Sequence, residues 1–74
     1  MAKEKLTPRE EEIIKTLADT GWSNKKIANF LHINYNTVRV HLQNAFPKMD
    51  VHCRHEAIVK YRNEKANTLN YENS

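Results

Sequence analysis

Apolar residues recur three and four positions apart in four separate stretches. They are Ile13, Ile14, Leu17 and Ala18; then Ile27, Ala28 and Leu31; then Val38, Leu42 and Ala45; then Ala57, Ile58 and Tyr61. That spacing puts each set on one face of a helix. Phe30 stands beside the second set and is expected to be part-buried. Polar and charged residues fill the positions between. The pattern predicts an all-α chain of four amphipathic helices.

The punctuation agrees. Thr7-Pro8-Arg9-Glu10 is a capping box with proline at the first helical position, which starts the first helix. Gly21, the only glycine, ends it, because glycine takes positive φ without a Cβ penalty. Ser23 caps a short second helix over residues 24–31. Ala28 is small enough to let the next helix cross closely. His32-Ile33 makes a tight turn to Asn34, a third N-cap, and Ile33 is placed for a staple contact to Val38. Pro47 lacks an N–H and clashes inside a helix, so the third helix is expected to end near Phe46. Met49 and Val51 follow as an apolar pair around a turn at Asp50. The fourth helix is expected over residues 53–65.

This divides the chain into an arm (residues 1–6), one folded domain (residues 7–66) and a polar, Asn-rich tail (residues 67–74) with no order of its own. A short helix, a tight turn and a longer helix form the helix-turn-helix pattern.

The outer face of the third helix decides what this fold is for. It carries Asn36, Arg39, Val40 and Gln43: one charge, two amides and one apolar residue. Ordinary solvated surface is the plain alternative, and periodicity alone favours it. The set nevertheless matches the chemistry of base edges. Arginine donates to guanine, glutamine pairs with adenine, and a small apolar group meets a thymine methyl.

Charge is compatible with that reading, although on charge alone a solvated mixed surface is the better one. The net charge is +3 over 74 residues, and early acids (Glu4, Glu10, Glu11, Glu12) leave the rest of the chain basic. From Lys25 to Arg62 the acids are Asp50 and Glu56, against Lys25, Lys26, Arg39, Lys48, Arg54, Lys60 and Arg62. One positive side can track phosphates.

Other chemistries fare worse. Cys53 is the only cysteine, so no disulfide forms within the chain, which fits a reducing compartment. His52-Cys53-Arg54-His55, with His41 or His32, offers zinc-type ligands but matches no standard spacing. A Cys/His catalytic pair lacks an oxyanion loop. No membrane-spanning run and no secretory leader are evident. The expectation is a cytoplasmic, non-enzymatic protein without a cofactor or a membrane partner. Arg54 is a candidate partner for a glutamate of the first helix.

Several spaced motifs then carry a resemblance. Leu6-Thr7-Pro8-Arg9-Glu10, Ser23-Asn24-Lys25-Lys26-Ile27-Ala28, Thr37-Val38-Arg39-Val40-His41, Lys48-Met49 and Arg54-His55-Glu56-Ala57 resemble the LuxR/GerE-type DNA-binding domain. That domain is the output module of quorum-sensing regulators and response regulators. The resemblance spans residues 6 to about 62. It implies a four-helix helix-turn-helix domain that binds double-stranded DNA as a dimer, with the third helix in the major groove. It places base reading on Arg39, Val40 and Gln43. Phosphate contacts fall on Ser23, Asn24, Lys25 and Thr37, at the starts of the second and third helices. Lys26, Tyr35 and Asn36 complete that candidate set.

The fourth helix commonly supplies the family's dimer contact. Here Val59, Arg62 and Ala66 form a stripe apart from Ala57, Ile58 and Tyr61, and are the candidate dimer residues. Another regulator or RNA polymerase is a further candidate partner. Heterodimerisation without independent DNA reading is the competing function. Met1 and the tail lean toward a stand-alone effector over an excised output domain. The chain departs from the family pattern in four places. The turn Asp19-Thr20-Gly21 is one residue longer, Asn34 stands for Ser or Thr, Asp50 stands for Gly, and Pro47 interrupts an expected helix.

Overall fold

In the computed structural model the described residues are 5–73, with side chains through Lys65. Four helices follow one another: α1 (Pro8–Thr20), α2 (Asn24–Leu31), α3 (Tyr35–Met49) and α4 (Arg54–Asn73). Strands are absent among the described residues.

Each start has the cap that the sequence provides. The Thr7 hydroxyl accepts from the Glu10 N–H at 3.1 Å, and the Glu10 carboxylate accepts from the Thr7 N–H at 3.0 Å, which completes the capping box. Ser23 Oγ accepts from the Lys26 N–H at 3.3 Å. Asn34 Oδ1 accepts from the Asn36 N–H at 2.7 Å. Before α4, Glu56 reaches back to accept from the His52 N–H at 2.7 Å.

The helix ends use the left-handed region. Gly21 has φ 72° and donates its N–H to the Leu17 carbonyl. His32 (φ 60°) and Asp50 (φ 63°) do the same job without being glycine. Each closes a Schellman motif: the Ile33 N–H bonds the Ala28 carbonyl and the Val51 N–H bonds the Phe46 carbonyl, both at 3.0 Å. A non-glycine residue in this conformation costs about 1 kcal/mol, and the apolar residue that follows offsets it. Ile33 packs partly buried on the core and Val51 is buried.

The stripes meet in one core. Ile13, Ile14, Leu17, Ile27, Val38, Ala45 and Ala57 are fully or almost fully buried, with Ala18, Ala28, Leu42, Met49, Val51 and Tyr61 beside them. Trp22, Leu31, Phe46 and Ile58 pack around the edge. α1 lies against α3 and α4, and α2 lies against α3.

Four expectations are corrected. Asp19 and Thr20, read as turn residues, complete the last turn of α1. Phe30 is 59% exposed, because the inward positions of α2 are already filled by Ile27 and Ala28. α3 does not stop at Phe46 but runs through Pro47 to Met49. Proline's fixed φ suits a helix. What it forfeits is the one hydrogen bond its N–H would make to the Gln43 carbonyl, and its ring crowds that carbonyl. Burial of Met49 and Val51, the Schellman closure and the Lys48 contact to Glu10 hold the last turn regardless. Finally, α4 continues past Lys65 to Asn73, since no glycine or proline follows Arg54 to stop it.

Candidate nucleic-acid interface

α3 presents its polar face to solvent. Arg39, Val40 and Gln43 are all exposed, with Val40 at 49%. Directly behind them Val38, Leu42 and Ala45 are buried, so the core fixes the orientation of the face. Arg39 Nη1 lies 3.4 Å from Asn36 Oδ1, a weak contact one turn back along the same face. Arg39 and Gln43 line a shallow cleft with Asn24, Leu42, Phe46, Cys53 and Arg54.

A second cleft lies at the starts of α2 and α3. Gly21, Ser23, Asn24, Lys25, Tyr35 and Arg54 line it. Free N–H groups at a helix start and the helix dipole both favour an anion there. Ser23 and Lys25 are exposed, and Tyr35 is 49% exposed.

The structure therefore gathers Ser23, Asn24, Lys25 and Tyr35 at one place. It does not gather the other three phosphate candidates with them. Lys26 is outside that cleft, and its Nζ stands 4.9 Å from the centre of the Trp22 ring. Trp22 in turn meets Phe30 edge-on, with ring centroids 5.3 Å apart. Asn36 faces Arg39, and Thr37 is half-buried.

Arg54 is the residue that sequence reasoning placed elsewhere. It does not pair with a glutamate of α1. Its Nη1 donates to Asn24 Oδ1 at 2.8 Å, and its Nη2 donates to the Trp22 carbonyl. Of the α1 glutamates, Glu10 is buried and pairs with Lys48 at 2.9 Å. Burial alone would raise the Glu10 pKa. The hydrogen bonds from Lys48 and the Thr7 N–H, with the charges of Lys48 and His41, outweigh burial and hold it below the ordinary carboxylate value.

On α4, Val59 is 43% exposed and borders a groove with Val51, His55, Glu56, Lys60, Asn63 and Glu64. Arg62 is outside that groove: its Nε donates to the Ala18 carbonyl at 2.9 Å, at the end of α1. Ala66 lies outside the residues whose side chains are described. Cys53, His52 and His55 are exposed, and among the described residues no three His, Cys, Asp or Glu side chains come together as a metal site. No helix among the described residues is long and apolar enough to cross a membrane.

A helix-turn-helix domain with a cap-ordered, outward polar face on α3 is the class this geometry defines. The sequence model of the family described as "Bacterial regulatory proteins, luxR family" matches residues 4–61, and the chain belongs to that family. Over 53 residues it is 49% identical to the uncharacterized response regulatory protein YgeK of Escherichia coli, covering 72% of this chain and 35% of that protein. It is 45% identical over 56 residues to a nitrate/nitrite response regulator protein homolog of Haemophilus influenzae, covering 76% of this chain and 26% of that one. The chain thus spans between a quarter and about a third of these relatives.

Two solved structures share the fold. One is the response regulator ChrA of a heme-sensing two-component system, with a TM-score of 0.75, 34% identity, and coverage of 88% of this chain and 32% of that one. The other is the complex of the anti-activator RapF with the response regulator ComA DNA-binding domain. It matches with a TM-score of 0.71 and 33% identity, covering 78% of this chain and 98% of that one.

Proposed function

We propose that this chain regulates transcription by reading double-stranded DNA, with α3 in the major groove and a second copy bound through α4. The observation that carries the reading is the exposed row Arg39, Val40 and Gln43, standing on a buried row of the same helix. A solvated helix can carry such a surface, but in a chain of this family its donors and its apolar residue match the chemistry of base edges. Ser23, Asn24, Lys25 and Tyr35 form the accompanying phosphate edge, which sets register without specifying sequence. Tyr35 and Ser23 offer hydroxyls there, and Lys25 the charge.

The groove bordered by Val59 is the proposed seat of the second copy, so that two reading helices address a two-fold site. Arg62 enters this reading only as a neighbour, because its guanidinium already bonds the Ala18 carbonyl. The RapF complex with the ComA DNA-binding domain supports one further possibility for the same fold, a protein partner.

The test is duplex binding across ionic strength, on sequences selected from random DNA. A dimer that neutralises about 6 phosphates should lose on the order of a thousandfold in affinity from low to moderate salt. A flat salt response, or no enrichment of any sequence, would sink the reading.

A further inference from the structure

The proposed DNA surface draws on two helices, α2 for phosphates and α3 for bases. A residue of neither helix sits between them. Arg54, the first residue of α4, is half-buried and forms a wall of both clefts, the one at Lys25 and Tyr35 and the one at Arg39 and Gln43. Its two terminal nitrogens hold Asn24 Oδ1 at 2.8 Å and the Trp22 carbonyl, on either side of the Ser23 cap.

This contact has a chemical consequence for Asn24. Of the two ends of a carboxamide, only the oxygen can accept from a guanidinium. Arg54 therefore fixes which way the amide is turned, and the NH2 end is left as a donor. We propose that Arg54 is a positioning residue for DNA binding: it acts through Asn24, orienting the amide so that its NH2 donates to a DNA phosphate at the start of α2. The inference rests on the DNA-binding reading above. Each terminal nitrogen of Arg54 already bonds protein, and because a guanidinium carries further N–H groups, a direct phosphate contact by Arg54 is the outcome the experiment must tell apart. Lysine cannot replace it, because an ammonium is a point donor on a flexible stem and lacks the planar fork that spans two separate acceptors.

The experiment compares the full chain with Arg54→Lys, Asn24→Ala, the double variant and Asn24→Asp. Each is titrated with a selected duplex and with a mixed-sequence duplex, and each is melted. Arg54→Lys keeps the charge, so a phosphate contact made through charge alone would be kept, while a direct contact through the fork would be lost whether or not Asn24 is present. The positioning role predicts about a tenfold loss on both duplexes, the size of one charge-assisted hydrogen bond. In the Asn24→Ala background the same change should cost about twofold or less, because coupled residues do not add.

Asn24→Asp serves if Arg54→Lys melts before it can be titrated. Aspartate still accepts from Arg54, so the fold should hold. It cannot donate to a phosphate and repels one, so duplex binding should fall below that of Asn24→Ala. The proposal is overturned if Arg54→Lys binds like the original chain, if its loss persists in full without Asn24, or if Asn24→Asp binds as well as Asn24. Should the unaltered chain show no salt-sensitive duplex binding, the DNA reading itself fails, and the role of Arg54 with it. The two failures are thereby told apart.

Discussion

Lys48 Nζ stands 2.9 Å from Glu10 Oε1 and so ties the last turn of α3 to the first turn of α1, 38 residues earlier. Glu10 also closes the capping box, so one carboxylate serves a local and a long-range bond. Removing Lys48 leaves a buried carboxylate without its cation. Lys48→Ala should therefore destabilise the domain by about 2 kcal/mol, as a shift in the urea midpoint at neutral pH.

The same pair sets an acid limit. The folded-state pKa of Glu10 is lowered, so its stabilisation is present above the ordinary carboxylate range. It is lost as pH falls through the depressed value. Denaturation midpoints measured from neutral to acid pH should decline for the original chain. They should decline less for Glu10→Gln, which has no carboxylate at this position to protonate.

Pro47 offers a gain. Proline inside a helix costs about 3 kcal/mol against alanine, and its stiffening of the unfolded chain returns about 1 kcal/mol. Pro47→Ala restores a donor for the Gln43 carbonyl and should stabilise the domain by about 1–2 kcal/mol. A lower melting temperature in this variant would mean that the proline ring makes a contact the helix needs.

Arg39 should separate specificity from affinity. Arg39→Ala should relax preference at one base pair of each half-site by about 1–3 kcal/mol and leave mixed-sequence binding nearly unchanged. Single-base duplex variants give the readout, with folding checked by circular dichroism. An equal loss on every duplex would make Arg39 a phosphate clamp. Val38→Asp is the contrast: Val38 is 0% exposed, and a charge buried there should unfold the chain.

Val59 tests the dimer. Val59→Asp should leave the monomer helical, since the residue is 43% exposed, while lowering affinity for a two-half-site duplex. Sedimentation should show the loss of self-association. Unfolding in its place would assign Val59 to the core.

What the sequence revealed and what it hid divide along sequence separation. Thr7, Gly21, Ser23 and Asn34 act within four residues of themselves, and each caps the helix its local pattern announces. The buried stripes are equally local, a matter of period. Arg54 meets its partners 30 and 32 residues away, and Arg62 meets Ala18 at a separation of 44. Nothing nearby in the chain signals those pairings. Lys25 and Lys26 look alike in sequence. Adjacent positions on a helix point about 100° apart, which is why one borders the cleft at the starts of α2 and α3 and the other covers Trp22. Phe30 escaped for a similar reason: it stands beside the second stripe, yet its position on the helix leaves it exposed.

α4 also closes what the earlier helices leave open. Lys60 Nζ donates to the Met49 carbonyl at 2.7 Å, at the end of α3, and Arg62 Nε donates to the Ala18 carbonyl at the end of α1. These are the negative poles of two helices, and the cations that meet them both lie on α4. A ribosome therefore delivers α1, α2 and α3 before it delivers the cations that meet the carboxyl ends of two of them. The nascent chain can form its turns as they emerge, yet it cannot finish the domain until Arg62 has cleared the exit tunnel. Closure of α1 and α3 at their carboxyl ends thus follows the synthesis of α4.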